Sequence, residues 1–128
     1  MIEFHLDSRS GVSPYLQLVN QVRRALLLGM LREGDQLPTV KDVVGRLAIN
    51  PNTVSKAYRE LEHAGLVTAR QGVGTFVNAA PTLNPNTYRP LERDLRRWIA
   101  KARLTGLDDE SIAALFDATF RNEQRGIA

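Results

Sequence analysis

Within the eight positions from Asn52 to Arg59, the chain places Asn52, Thr53, Ser55, Lys56 and Arg59. No paired carboxylates, nucleophile and base, or metal-ligand set stands among them. Short amides and hydroxyls donate and accept hydrogen bonds at base edges, while Lys and Arg neutralise phosphates. The chemistry implied is recognition of a nucleic-acid groove rather than catalysis. A merely solvated helix face has the same composition, so the elements that present these residues decide between the two readings.

Those elements are sharply marked. Asn50 is a helix cap, and Pro51 falls at the first helical position, where its missing N–H is no loss. Val54, Ala57, Tyr58 and Leu61 then recur at the spacing of one buried face, which turns the five polar residues outward. Gly65 ends the helix. A preceding helix begins at Thr39, with Asp42 three residues on, and buries Val40, Val43, Val44 and Leu47. Only Ala48 and Ile49 separate Leu47 from the cap Asn50, the short turn of a helix-turn-helix. After Gly65, residues 66–70 and 75–78 read as two strands around Gln71-Gly72-Val73-Gly74, a wing whose glycines permit positive φ and close approach to a partner. Arg70 and Gln71 are its side-chain contacts. The glycines are not a dinucleotide fingerprint, since the third is absent and a strand follows where a helix should begin.

The run Gly34-Asp35-Gln36-Leu37-Pro38-Thr39, the segment Asn50 to Glu62, and Gly65-Leu66-Val67 followed by Gly72 to Val77 resemble the DNA-binding domain of the GntR family of bacterial transcription regulators, over roughly residues 12–78. By position in the motif, the resemblance implies DNA contacts at Lys41, Asn52, Thr53, Ser55, Gln71 and Gly72. Thr39 adds a phosphate contact while capping its helix, or serves as the cap alone. The tail of 50 residues after Asn78 is too short for a large sensor domain and is similar to the YtrA subfamily. That likeness implies a dimeric repressor, a palindromic operator and control of a transporter operon.

Composition agrees with a soluble globular chain: 128 residues, 43% hydrophobic and 24% charged, with a formal net charge of +3. Between Lys41 and Arg59 the four cations Lys41, Arg46, Lys56 and Arg59 face one acid, Asp42, before Glu60. This local positive charge attracts phosphates and makes binding salt-dependent. The absence of cysteine excludes disulfides and thiolate sites and fits the cytoplasm. No apolar run reaches membrane-spanning length, so no membrane partner is expected, and neither is a cofactor or metal. His5 and His63 are far apart, and Asp108-Asp109-Glu110 reads as a helix start, so an enzyme is not expected.

The remaining segments support this unit. Ile2, Phe4 and Leu6 alternate with polar residues as in a short half-buried strand. Ser13-Pro14 opens a helix whose apolar stripe runs through Tyr15, Val19, Val22, Leu26 and Met30. Residues 79–90 hold Pro81, Pro85 and Pro90 and read as an extended linker. Leu91, Leu95, Trp98, Ile99 and Ala102 form a helical stripe ended by Gly106, and Asp108 caps a second helix with Ile112, Leu115, Phe116 and Phe120 on its apolar face. Leu95, Trp98, Ile99, Leu115, Phe116 and Phe120 are the candidate dimerisation or effector residues, any small-molecule effector being unidentified.

The expected architecture is mainly α with a small β-ribbon: a winged helix-turn-helix domain over 1–78, a linker over 79–90 and a two-helix dimerisation segment over 91–128. The expected partners are double-stranded DNA and a second copy of the chain. A winged helix used only for protein interaction is the alternative, because fold does not dictate function.

Overall fold

A computed structural model describes residues 1–126. The chain divides into two compact units, Met1–Pro85 and Asn86–Ala128. The first carries α1 (Pro14–Leu27), α2 (Val40–Leu47), α3 (Pro51–His63), β1 (Val67–Arg70) and β2 (Gly74–Val77). The second is built from α4, which runs Pro85–Leu104, and α5, Asp109–Arg125.

In the first unit, α1 supplies Leu18 and Val22, α3 supplies Val54 and Leu61, and Leu37 and Val67 close the centre, all almost free of solvent. Each such side chain contributes about 1.5–3 kcal/mol of burial, so α3 is held by the apolar face its spacing announces. Tyr58 adds a polar tie: its buried hydroxyl donates to the Pro38 carbonyl at 2.6 Å.

Three helices stop in the same way. At the end of α3, Gly65 has φ +77°, its N–H bonds the Glu62 carbonyl, and the Leu66 N–H reaches back to Leu61. Gly29 and Gly106 end α1 and α4 with the same pair of bonds. Glycine removes the Cβ penalty of the left-handed residue that this stop requires.

The ribbon is antiparallel, with Val67 opposite Val77 and Arg70 opposite Gly74. Its outer edge is paired too. Leu37 N–H donates to the Thr75 carbonyl at 2.9 Å and Val77 N–H to the Asp35 carbonyl at 2.8 Å, with a bridge between Gln36 and Phe76. The segment before α2 thus acts as a third, very short strand.

Several expectations are corrected. Residues 1–6 form no strand, although Ile2, Phe4 and Leu6 do alternate inward as expected. Their backbone is satisfied by side chains instead: the Gln21 amide both accepts from His5 N–H and donates to its carbonyl, and Gln17 does the same for Asp7. Helix α1 ends at Leu27, which leaves Met30 outside the helix and exposed. Ser13 precedes α1 in extended conformation, but its hydroxyl makes no capping bond. Residues 85–90, expected to be extended, are helical. Pro85 opens α4 and Pro90 lies inside it. Pro90 falls in the second turn, so it forfeits a single i→i−4 bond near the start of the helix.

Candidate nucleic-acid interface

Helix α3 is fixed at its start, along its inner face and at its end. Asn50 Oδ1 accepts from the Asn52 N–H at 2.8 Å, with Pro51 occupying the first turn. At the far end Glu62 Oε2 accepts from the Ala69 N–H at 2.9 Å, coupling α3 to β1. Helix α2 is capped by Thr39, whose hydroxyl accepts from the Asp42 N–H at 3.0 Å. The turn between the helices is made by Ala48, the one non-glycine residue with positive φ (+51°) among the described residues. Burial pushes the Tyr58 phenol well above its ordinary pKa, with the Asp42 carboxylate adding to the shift. The phenol therefore stays neutral and keeps its proton on Pro38.

With the scaffold set, Asn52, Lys56 and Arg59 are exposed on α3, whereas Thr53 and Ser55 are half-buried beside them. Lys56 is not wholly free, since its Nζ sits 3.9 Å above the Tyr15 ring. This contact holds the cation in place without neutralising it. Lys41 is exposed at the first turn of α2. Among the described residues no carboxylate lies within ion-pair reach of Lys41, Lys56 or Arg59. Arg46 differs from them: it pairs with Glu3 at 3.0 Å, an exposed contact that ties α2 to the N-terminal segment. Three of the four cations counted in the sequence thus remain uncompensated.

Gln71 and Gly72 are exposed at the tip of the wing, and Gly72 has φ +75°. Arg70 folds back over the Phe76 ring at 4.9 Å. Gln36 is a wing residue that sequence reasoning missed. Its side chain donates to the Val73 carbonyl at 3.3 Å, and a Cβ at Gly74 would collide with its amide. Gly74 is therefore favoured by its φ of +144°, and a side chain there would also displace the Gln36 amide from the wing. The sequence signal was the second glycine of the loop, read there as close approach to a partner and met here by Gln36 of the same chain.

The arrangement presents hydrogen-bonding groups and unpaired cations on one rigid three-helix body with a narrow ribbon beside it. Among the described residues there is no cluster of three potential metal ligands, and no buried polar side-chain atom lacks a partner. No described helix is long and apolar enough to cross a membrane.

The sequence pattern of the bacterial regulatory proteins of the gntR family matches residues 14–77, from the start of α1 to the end of β2. The chain belongs to the GntR family. The HTH-type transcriptional repressor YtrA of Bacillus subtilis is 35% identical to it over 109 residues, which is 84% of each chain. That alignment is too long to be confined to the winged unit, in keeping with the YtrA-like tail. A solved structure of YtrA from Sulfolobus acidocaldarius, a GntR-family transcription factor, superposes with a TM-score of 0.56 at 26% identity, over 76% of this chain and 97% of that one. The DNA-binding domain of AraR, solved in complex with operator ORE1, matches with a TM-score of 0.50 at 25% identity, over 60% of this chain and 94% of that one. This GntR protein is a DNA-binding transcription regulator and not an enzyme.

The second unit holds the other candidate residues. Trp98 and Phe116 bring α4 and α5 together with ring centroids 6.4 Å apart, and Phe116 stacks on Phe120 at 6.0 Å. Trp98 and Ile99 are half-buried, while Leu95, Leu115, Phe116 and Phe120 are exposed. Between the helices lies an open cleft of about 340 Å³ lined almost entirely by apolar groups, including Leu95, Trp98, Ile99, Ile112 and Phe116. Ala102 and Ile112 are the buried residues of α4 and α5. Arg103 and Asp109 pair at 3.0 Å at the turn.

Proposed function

We propose that the chain is a dimeric repressor that reads a palindromic operator with α3 and steadies itself with α2 and the wing. The observation that carries this reading is the uncompensated polar and cationic surface of α3, held rigidly by its caps and by Tyr58. Asn52, Thr53 and Ser55 read bases, and Thr39, Lys41, Lys56 and Arg59 meet phosphates. Arg70, Gln71 and Gly72 reach the neighbouring backbone from the wing. Lys56 does so from its seat on Tyr15.

The second copy is inferred from α4 and α5. Two helices that bury only Ala102 and Ile112 leave Leu91 65%, Phe116 47% and Phe120 54% exposed, far more apolar surface than a single exposed leucine would represent. A second copy with the same open apolar cleft is self-complementary and closes it by two-fold symmetry. Two-fold symmetry in the protein requires two half-sites about 10 bp apart, or a multiple, so that both reading helices face the same side of the duplex. Repression, and control of a transporter operon, rest on the resemblance to YtrA. An effector in the apolar cleft is a second use of the same residues, favoured only by its volume.

The test is capture of genomic fragments on the purified protein, followed by footprinting of the strongest. Two protected half-sites in inverted orientation, next to a transporter operon, are expected. A single unpaired site bound by a monomer would contradict the dimeric reading.

A further inference from the structure

Helix α4 has a second face that the winged unit does not account for. Arg89, Arg93, Arg97 and Lys101 follow one another at four-residue steps, each exposed. Residues four apart are neighbours on a helix surface, so these four form a stripe about 18 Å long that winds slowly around α4. Arg97 pairs with Asp94 at 3.2 Å, and the adjacent Arg96 pairs with Glu92 at 3.3 Å. Arg89, Arg93 and Lys101 have no carboxylate within ion-pair reach among the described residues. Like charges at this spacing weaken a helix, and the first turn of α4 carries no acid to favour its N-terminal end. Helix stability therefore accounts for Lys101, which lies in the last turn, but not for the three arginines.

We propose that this face of α4 is a second contact to duplex DNA, independent of base sequence, that grips phosphates other than those met by the winged unit. The proposal rests on the DNA-binding reading above. Over about 18 Å a duplex presents roughly ten phosphates, enough to meet three or four cations at once. Guanidinium groups suit phosphate oxygens because they donate in a planar fork. No base-reading Asn, Gln, Ser or Thr interrupts the stripe, so it attracts without discriminating. An anionic lipid surface is the less favoured partner. Membrane-surface helices need a free apolar face opposite the basic one, and on α4 that face, where Leu91 and Leu95 are exposed, is the one assigned above to a second copy of the chain.

The test compares the full-length protein with its Arg89→Gln/Arg93→Gln/Lys101→Gln variant on a fluorescent 40-bp random-sequence duplex between 50 and 200 mM KCl. Gln keeps helix propensity, and circular dichroism checks that both proteins fold alike. Loss of three phosphate contacts lowers the slope of log affinity against log salt by about 2.7 per chain. Across that range the wild type should then lose about 40-fold more affinity than the variant. A Lys56→Gln/Arg59→Gln variant should keep the α4 share of the slope. An unchanged slope in the triple variant, with the wild type binding normally, overturns the α4 proposal and leaves the regulator reading intact. Failure of the wild type to bind any duplex overturns both. Binding to phosphatidylserine vesicles that the triple variant loses, with duplex binding unaltered, would assign the face to membranes and overturn the proposal.

Discussion

The Tyr58 hydroxyl donates to the carbonyl of Pro38 across 2.6 Å, twenty residues away in sequence. That one bond fixes the middle of α3 to the residue before the α2 cap, so the angle between the two helices is set by a buried polar contact as well as by packing. Tyr58→Phe keeps the ring and leaves the Pro38 carbonyl without its donor. A loss of about 1–2 kcal/mol is expected, measured by urea denaturation. The raised phenol pKa also sets a sign. The neutral form is favoured in the folded state, so this stability is complete below the unfolded value near pH 10 and declines as pH rises beyond it. In the Phe variant that alkaline decline should shrink.

The turn of the helix-turn-helix is built on Ala48 with φ +51°. A Cβ in the left-handed region costs about 1–2 kcal/mol, while glycine adds about 0.4–1 kcal/mol of unfolded-chain entropy. Ala48→Gly should therefore be neutral or stabilising by up to about 1.6 kcal/mol. Ala48→Val, which places a β-branched residue there, should lose more than about 1 kcal/mol. Thermal unfolding of the two variants separates these directions.

At the wing, Gly74→Ala should weaken the ribbon by about 1–3 kcal/mol, because its φ is unfavourable for an L-residue and its methyl meets the Gln36 amide. Removing that amide in a Gln36→Ala/Gly74→Ala pair relieves the collision and leaves the backbone strain. A double-mutant cycle in stability should show partial recovery, and additivity would contradict the contact.

How much of this could be read from the chain depended on the range of the forces involved. The bounds of α3 were legible because Asn50, Pro51 and Gly65 act on backbone within a few residues of themselves. The buried face of α3 was legible because helical spacing is local. Residues 1–6 were half legible: alternation gave the inward side, but the partners are the side chains of Gln17 and Gln21, which no strand pattern encodes. The start of α4 was misread because three prolines suggest extended chain, whereas Pro85 begins a helix and Pro90 is tolerated in its second turn. In the candidate site, Lys56 and Arg59 stand outward as expected. The diversion of Arg46 to Glu3 and the clamp from Gln36 to the wing join residues 43 and 37 positions apart, and spacing carries no trace of them.

Helix α5 carries its own pH dependence. Asp108 accepts from the Ser111 N–H at 2.8 Å, and hydrogen bonding to Ser111 holds its carboxyl below the usual value. A depressed pKa means that the cap stabilises the folded state above the unfolded value, about pH 4, and is lost as pH falls through the folded one. Helicity measured by circular dichroism should decline over that acid range in the wild type, and the decline should be smaller in Asp108→Asn, whose amide oxygen still caps.

The central claim is that Asn52, Lys56 and Arg59 on α3 meet the duplex, and it is tested most directly by titrating single variants on a captured genomic site and on random duplex at several salt concentrations. Lys56→Ala and Arg59→Ala should weaken binding on both duplexes and lower the salt slope by about 0.9 each. Asn52→Ala should narrow the gap between the two duplexes by about 1–3 kcal/mol and leave the slope unchanged. Unaltered affinity, slope and discrimination in all three variants would show that the outward face of α3 is not where this regulator touches DNA.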